Sequence, residues 1–320
     1  MILKSKVNNS WTTPYYYFDS TTNYTTWGNV MIRTSILRSA LLGVSVASML
    51  AFSATAGAAS MGSYNAKDAA LVPSALKSVT WQIATDATYA PDESMSGNTM
   101  VGFDVDLIKA IGTTLGVKVN ENNVTFDNII VGIDDGRYLI GNSSFTDNTT
   151  REKQVNFVDY YQAGEGVYVK ANSTFSFTGL QSFCGQTVAV ETGTQEQTDA
   201  SAVKCSGGKK VTVTSYPTQT EANAAVSSGH AAAGFVDSQV AGYIVSTSNG
   251  VFKLAGSPVN VAPYGIATPK TANGLAVANA IQAAVKTLIA NGVYQSILSK
   301  YGATNGDLTA AKIVLNGAGA

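Results

Sequence analysis

Short apolar strands and amphipathic helices alternate along most of this chain, and no other feature limits its possible folds as strongly. Residues 79–85 form a predicted strand, and apolar residues then recur at helical spacing within 104–115. The same order of strand and helix repeats toward the C-terminus. Because consecutive parallel strands need a crossover, usually a helix, this order predicts an α/β protein with parallel sheets.

The predicted elements extend from residue 79 to residue 301, and 320 residues are enough for two domains. The predicted strands are 79–85, 117–119, 138–142, 187–191, 211–215 and 233–237, with further extended segments at 157–161 and 167–169. The predicted helices are 104–115, 126–135, a segment from about 195, 219–228, 238–247, 276–291 and 293–301. We expect polar loops at 86–100 and 143–150.

The charge of the chain excludes one broad class of partner. Its net charge is −1, so a nucleic-acid partner has no electrostatic basis. Charged residues make up only 13% of the chain, while small and hydroxyl-bearing residues are abundant, a composition that suits an exported protein.

An export signal is predicted at 31–59. The segment begins with a basic region that contains two arginines. An apolar run follows at residues 39–53, which is too short to span a membrane comfortably, and Ala56-Gly57-Ala58 fits a cleavage site. We therefore expect translation to start at Met31 and residues 1–30 to be a non-native extension. No cysteine stands at the end of the apolar run, so we expect no lipid anchor and a mature chain that is periplasmic or secreted.

The helix predicted at 104–115 carries the strongest family signal. Asp104 is placed to cap its N-terminus and to set negative charge at the positive end of its dipole, and Gly116 predicts its end. The string Gly-Phe-Asp-Val-Asp-Leu at 102–107, with the helix that follows, resembles the signature of the polar-amino-acid-binding family of extracytoplasmic solute receptors, solute-binding protein family 3. Proteins of this family serve ABC importers. Downstream segments match in the same order, so the resemblance covers roughly 78–302.

The resemblance implies a type II periplasmic-binding-protein fold, in which two α/β lobes are joined by a two-strand hinge and close on the ligand. Lobe 1 would comprise 78–163 plus 260–305, and lobe 2 would comprise 164–259. The hinge strands would cross near 162–166 and 256–261.

Arg151 is the central site residue that the resemblance implies. It matches the arginine with which the family clamps the ligand carboxylate, a contact that suits a planar guanidinium. Asn148 and Leu139 depart from the family pattern, where threonine and aspartate are usual. Taken without the resemblance, Arg151 is equally compatible with a solvated surface charge. The resemblance places at the ligand site Asp86, Tyr89, Ser143, Ser144, Thr146, Arg151, Glu191, Gly193, Thr194 and Asp237.

The resemblance also implies roles for several of these residues. Tyr89 would form an apolar wall, Asp237 would bind the ligand ammonium, and the Gly193-Thr194 turn would offer backbone N–H groups to the carboxylate. Asp86 and Glu191 would lie near the ligand side chain, one from each lobe. Two neighbouring carboxylates favour a cationic or amide-bearing group between them, so we expect a polar or basic amino acid rather than glutamate or aspartate. The plainer alternative for Asp86 is an aspartate that orders a turn.

Cys184 and Cys205 are the two cysteines of the chain. An exported pair is expected to form a disulfide, and many members of the resembled family carry a cysteine pair at these places. His230 is the only histidine, so the ligands for a zinc site are too few, and we expect no metal and no cofactor.

The predicted function is that of a non-enzymatic, monomeric binding protein that delivers an amino acid to the permease of an ABC importer. Two alternatives remain. A few proteins of this architecture are dehydratases of the cyclohexadienyl or arogenate type, which use a carboxyl group as a general acid, and Glu191 or Glu196 offers one here. The other is a sensory ligand-binding module, although such modules usually carry a membrane helix and a signalling domain that we do not recognise in this sequence.

Overall fold

A nine-stranded sheet runs through the protein, whose residues 61–318 are described by a computed structural model. The predicted extension at 1–30 and the predicted signal peptide at 31–59 lie outside the described residues. The strands are β1 Thr80–Thr85, β2 Thr88–Tyr89, β3 Glu93–Ser96, β4 Thr99–Val101, β5 Lys118–Asn123, β6 Ile140–Gly141, β7 Val155–Lys170, β8 Thr187–Glu191, β9 Thr212–Tyr216, β10 Ala233–Asp237, β11 Phe252–Leu254 and β12 Val259–Pro269. The α-helices are α1 Ala66–Ala69, α2 Phe103–Leu115, α3 Ile129–Asp134, α4 Gln195–Ala202, α5 Gln219–Ser228, α6 Ser238–Thr247, α7 Ala272–Ala290 and α8 Val293–Lys300.

The strands β7 and β12 join two parallel parts of this sheet. β7 is a single strand of 16 residues, not the two separate segments predicted, because it pairs first with β12 and then with β10. On one side of this pair lie β6, β1 and β5, and on the other lie β10, β8 and β9. β1 is parallel to β5 and β6, and β8 is parallel to β9 and β10, so the predicted parallel arrangement is confirmed on both sides.

The buried apolar side chains form separate clusters on the two sides of the β7–β12 pair. The largest joins α2, α7 and α8 to β1, and includes Ile83, Ile108 and Ile281 with no measurable exposure. The clusters on the other side gather side chains of α5, α6, β8 and β10. The predicted lobe boundaries stay a prediction, and we use lobe 1 (78–163 plus 260–305) and lobe 2 (164–259) as names for those ranges.

Residues 86–100, predicted as a loop, contain the small antiparallel sheet of β2, β3 and β4. Ser96 pairs with Thr99 across a Gly97-Asn98 turn, in which Gly97 has a left-handed φ of +61°. A Gly-Asn pair between two short strands is a hairpin signal. The prediction missed it because these strands are too short and too polar to show an apolar alternation.

Helix α2 ends as predicted at Gly116, which has a left-handed φ of +69°. Its N-cap residue is Gly102, so the prediction that Asp104 caps the helix is wrong. Glycine is needed at 102 because a Cβ atom there would lie 1.9 Å from a neighbouring carbonyl oxygen. Asp104 occupies the first turn, and its side chain instead accepts hydrogen bonds from Ser144 N and Tyr160 Oη.

The predicted disulfide is present, and it joins Cys184 before β8 to Cys205 after α4. Among residues 61–318, no helix is long and apolar enough to cross a membrane.

Candidate functional site

A cavity lies where the carboxyl ends of β1, β8 and β10 converge. The carboxyl ends of parallel strands are where α/β proteins commonly bind ligands. The cavity is lined by Asp86, Tyr89, Phe126, Ser143, Ser144, Thr146, Arg151, Glu191, Thr194, Gln195, Glu196 and Asp237.

The fold thus brings together nine of the ten residues that the resemblance placed at the ligand site. The tenth, Gly193, contributes its backbone at the edge: its carbonyl oxygen accepts a 2.8 Å hydrogen bond from Arg151 Nη2. The N–H of Gly193, predicted to face the ligand carboxylate, donates instead to Gln197 Oε1 at 2.7 Å. Thr194 caps helix α4, where its hydroxyl oxygen accepts from Gln197 N.

Arg151 is buried, and two backbone carbonyl oxygens orient its guanidinium. Nη1 donates to the Thr146 oxygen and Nη2 to the Gly193 oxygen, both at 2.8 Å. The guanidinium carbon lies 5.3 Å from the ring centre of Phe126 and 5.4 Å from that of Phe145, within cation–π distance. Burial lowers the pKa of Arg151 to about 10, so the side chain is cationic at neutral pH.

No carboxylate among residues 61–318 forms an ion pair with Arg151. The ion pairs found within 4.0 Å in this part of the chain involve Lys109, Arg137 and Lys300, which do not line the cavity. A guanidinium has five N–H donors, and the two carbonyl oxygens engage two of them. The remaining donors and the full positive charge are available to an anion in the cavity.

Tyr89 and Asp237 meet at another wall of the cavity. The Tyr89 hydroxyl donates to Asp237 Oδ2 at 2.7 Å and accepts from Asp237 N at 3.1 Å. Burial raises the pKa of Asp237 to about 6, although the hydrogen bond from Tyr89 and the charge of Arg151 counteract it. At neutral pH this carboxylate is therefore mostly ionised and can bind a cation.

Asp86 of lobe 1 and Glu191 of lobe 2 line the cavity as a neighbouring carboxyl pair. Burial raises the pKa of Asp86, although the hydrogen bonds that it accepts from Thr88 N and Phe126 N, both at 3.0 Å, favour its ionised form. Burial raises the pKa of Glu191 well above its usual range, and the neighbouring charge of Asp86 raises it further. Glu191 Oε1 is buried without a hydrogen-bond partner among the described residues. Burial and the charge of Asp86 thus favour the protonated form of Glu191, and a cation between the two groups would favour its ionised form.

Glu196 is a cavity residue that the ligand-site prediction left out. It is only 2% exposed, and burial and the charge of Asp237 raise its pKa well above the usual range. A glutamate in the first turn of a helix is ordinarily a solvated partner of the helix dipole, so nothing local distinguishes this one. Phe126 and Gln195 were also missed as lining residues.

Three fully buried carboxyl groups, the acidic cluster of Asp92, Glu93 and Asp104, lie behind the two serines of the cavity. Ser143 Oγ donates to Glu93 Oε1 at 2.8 Å, and Ser144 Oγ donates to Asp92 Oδ2 at 2.9 Å. Burial raises the pKa of each carboxyl group, that of Asp104 to about 6. The hydroxyl groups of both serines therefore attach the loop after β6 to the acidic cluster. Among residues 61–318, no group of three or more His, Cys, Asp or Glu side chains is arranged to hold a metal ion.

Two further hydrogen bonds join lobe 1 to lobe 2. Asn148 Nδ2 donates to Gln195 Oε1 at 3.0 Å, and Gln219 N donates to Thr88 Oγ1 at 3.2 Å. Of these four residues, Gln195 lines the cavity.

The family model of the bacterial extracellular solute-binding proteins, family 3, matches residues 81–304, and the chain belongs to this family. The arginine-binding protein ArgT of Corynebacterium glutamicum is 30% identical over 223 residues, which are 68% of this chain and 72% of the relative.

Solved structures agree with this assignment. A structure described as an ancestral arginine-binding protein bound to glutamine has a TM-score of 0.64 at 31% identity, covering 70% of this chain and 98% of that one. An ancestral amino-acid-binding protein described as a precursor of cyclohexadienyl dehydratase has a TM-score of 0.62 at 28% identity, covering 69% and 95% of the two chains. The predicted two-lobed periplasmic-binding-protein fold is confirmed by these neighbours.

Proposed function

We propose that this protein captures an amino acid with a basic side chain in the cavity between its lobes and delivers it to an ABC importer. The observation that carries the proposal is the charge arrangement of the cavity. Among the described lining residues, one cation, Arg151, faces four carboxyl groups, which belong to Asp86, Glu191, Glu196 and Asp237.

The ligand carboxylate would bind to Arg151. Its guanidinium is already oriented by two backbone carbonyl oxygens, so little rotamer freedom is lost when the ligand arrives. The α-ammonium group would bind to Asp237, with the ring of Tyr89 beside it. These two contacts account for the groups that all amino acids share.

The side chain of the ligand would reach the Asp86–Glu191 pair. A cationic group placed there is attracted by both carboxyl groups and lowers the pKa of Glu191, so that the second carboxylate can form. A neutral amide can be accommodated by hydrogen bonds without that change. An acidic side chain would add a third buried carboxyl group, which is costly without a further cation, and among the described lining residues the only cation is Arg151.

Names of the relatives support the same ligand class. ArgT is named as an arginine-binding protein, and the ancestral arginine-binding protein was solved with glutamine. Both ligands fit the expectation of a polar or basic amino acid, and the four carboxyl groups favour the basic one.

Calorimetry with arginine, lysine, histidine, glutamine and glutamate tests the proposal on the mature protein. We expect arginine or lysine to bind most tightly, glutamine more weakly, and glutamate not measurably. A thermal-shift screen provides an independent readout, because a ligand at a hundred times its dissociation constant adds about 2.7 kcal/mol to the free energy of unfolding. Tightest binding of glutamate would exclude the proposed arrangement.

Delivery to an importer, export and a monomeric state belong to the same proposal. We expect the mature protein to sediment as a monomer with and without arginine. We also expect deletion of its gene to abolish the high-affinity uptake of the amino acid that the purified protein binds. Unchanged uptake in the deletion strain would argue against a transport role.

A second candidate is a dehydratase, favoured by two observations. One structural neighbour is described as a precursor of cyclohexadienyl dehydratase, and burial raises the pKa of Glu191 in the cavity, as a general acid requires. Incubation with prephenate or arogenate distinguishes the two functions: a binding protein leaves both compounds unchanged, whereas a dehydratase forms an aromatic product with a new ultraviolet absorption.

A further inference from the structure

The last described residues, 313–318, lie beyond the part of the chain that matches the family model, and we call them the C-terminal strap. The strap runs along the edge of β7. Asp159 N donates to the Val314 oxygen at 2.9 Å, while Asn316 accepts from Phe157 N at 2.8 Å and donates from its own N–H to the Phe157 oxygen at 3.1 Å. Ile313 has no measurable exposure, so the strap is anchored in the core of lobe 1.

The end of the strap contacts the loop 146–152, which carries Arg151. Gly317 N donates to Asp147 Oδ2 at 2.9 Å, and Ala318 N donates to Glu152 Oε1 at 3.1 Å. Asp147 N also donates to the Pro263 oxygen of β12 at 2.9 Å. Asp147 is therefore held from two directions, by a hinge strand and by the strap.

Asp147 stands directly beside the group that orients Arg151. The oxygen that accepts from Arg151 Nη1 is the carbonyl of Thr146, the preceding residue. Arg151 N donates to Asn148 Oδ1, the following side chain, at 2.8 Å. A displacement of Asp147 would therefore move both acceptors that fix Arg151 within its own loop.

The contact between strap and loop leaves little space for change. A Cβ atom at Gly317 would lie 2.1 Å from Asp159 Oδ2 and 2.8 Å from Val314 Cγ2. Asp159 and Asp147 are adjacent, and each has an Oδ1 atom that is buried without another partner among the described residues. Burial and the charge of Asp147 raise the pKa of Asp159 to about 8, which favours the protonated form of Asp159 at neutral pH. The strap, Asp159 and Asp147 thus pack as one unit.

We propose that the C-terminal strap, through Gly317 and Asp147, is a positioning element that aims Arg151 into the cavity and thereby sets the affinity for the ligand carboxylate. The part of this proposal that concerns affinity rests on the proposed function. The part that concerns the order of the loop does not. Small displacements of a positioned charge weaken a directional contact strongly, so the effect on affinity should be large for a residue outside the cavity lining.

The test compares Asp147→Ala, Asp147→Asn and Gly317→Ala in the full mature protein. In Asp147→Ala the acceptor for Gly317 N is lost, whereas in Asp147→Asn an amide oxygen can still accept from Gly317 N and an amide N–H can face Asp159. Gly317→Ala keeps Asp147 but places a methyl group 2.1 Å from Asp159 Oδ2, so that either Asp159 or the strap must move. Val285→Ala, a fully buried substitution in α7, serves as a control of similar or greater instability.

The first readout is hydrogen exchange of the amides of 146–151 in the ligand-free protein. We expect exchange at least about tenfold faster in Asp147→Ala and Gly317→Ala, near-parent rates in Asp147→Asn, and no selective change in Val285→Ala. Unchanged exchange in both Asp147→Ala and Gly317→Ala would overturn the proposal, whatever the protein binds.

The second readout is the dissociation constant of arginine at a temperature where all variants are folded. We expect it to rise about tenfold in Asp147→Ala and Gly317→Ala and to stay within threefold of the parent in Asp147→Asn and Val285→Ala. An equal loss in Val285→Ala would mean that general instability, not positioning, weakens binding. If the parent binds no amino acid while the exchange result holds, the proposed function fails and the positioning of the loop stands.

Discussion

Arg151 Nη2 donates a 2.8 Å hydrogen bond to the carbonyl oxygen of Gly193, and this bond joins two loops that are 42 residues apart in sequence. Arg151 belongs to lobe 1 and Gly193 to lobe 2. The side chain proposed to bind the ligand carboxylate therefore also ties the two lobes together. Ligand binding and lobe closure would then depend on the same guanidinium.

The first prediction concerns Arg151→Ala. It should weaken arginine binding by about 2–5 kcal/mol, because the ligand carboxylate loses a charge-assisted partner in a buried site. Arg151→Lys should restore the charge but only part of the affinity, since an ammonium cannot reproduce the planar fork. Arg137→Ala, at an exposed arginine that pairs with Asp135, is the matched control and should bind like the parent. Calorimetry measures all three, and an Ala variant within threefold of the parent would show that Arg151 does not bind the ligand.

The second prediction concerns Glu191→Gln and the choice of ligand. Removing the second carboxyl group of the Asp86–Glu191 pair should weaken arginine binding by roughly tenfold and leave glutamine binding nearly unchanged, because the pair attracts a cation but only hydrogen-bonds an amide. The quantity to measure is the ratio of the two dissociation constants. Asp134→Asn, at an exposed position of α3, controls for a change of net charge. A ratio that does not move would place the ligand side chain away from Glu191.

The third prediction concerns the disulfide between Cys184 and Cys205, which are separated by 21 residues. In the chain-entropy model, closing a loop of this size stabilises the folded state by about 3 kcal/mol. The double variant Cys184→Ser/Cys205→Ser should unfold at correspondingly lower denaturant concentration, and reductant should lower the stability of the parent but not of the variant. Neither cysteine lines the cavity, so arginine affinity should be retained. Two reactive thiols in denatured, unreduced parent protein would contradict the bond.

The fourth prediction concerns the pH dependence of the ligand-free protein. Burial, with the nearby charge of Asp147, raises the pKa of Asp159 to about 8, and burial, with the charge of Asp199, raises that of Glu165 to about 9. Carboxyl groups of an unfolded chain titrate near pH 4, so between about pH 4 and pH 9 the folded state binds more protons than the unfolded state. The stabilisation from these two groups is complete below about pH 4 and is lost as the pH rises through their folded-state pKa values.

The melting temperature of the ligand-free protein should therefore be lower at about pH 9 than at about pH 6. Asp159→Asn is the control, because its amide keeps a donor toward Asp147 without titrating. This variant should show a smaller decrease with pH than the parent. A parent whose melting temperature rises over this interval would contradict the raised pKa values.

The order of strands and helices was accessible from the sequence because it depends on local periodicity and on turn residues. The end of α2 at Gly116 and the bounds of α6 at Ser238–Thr247 follow from neighbouring residues alone. The sequence could not show that Gly102, and not Asp104, is the N-cap residue of α2. Asp104 instead accepts hydrogen bonds from Ser144 and Tyr160, which are distant in sequence.

Most of the cavity residues were named through the family resemblance rather than through residue patterns. An arginine in a polar loop or a glutamate in a first helical turn has no local mark of function, and for that reason Glu196 was named only as a possible general acid and not as a ligand-site residue. The carboxyl ends of several strands had to come together before the burial of Glu196 and Glu191, and the pKa values that follow from it, could be assigned.

The sequence by itself determined the alternation of elements, the cysteine pair, the near-neutral charge and the family of this protein, because these are encoded in composition and short strings. Only the tertiary structure decided which carboxyl groups share one cavity, which N–H groups of Arg151 are already engaged, and that the C-terminal strap reaches Asp147. Those relationships join residues far apart in the chain. Their energies depend on burial and on distances between side chains, which exist only after the strands have paired and the two lobes have met.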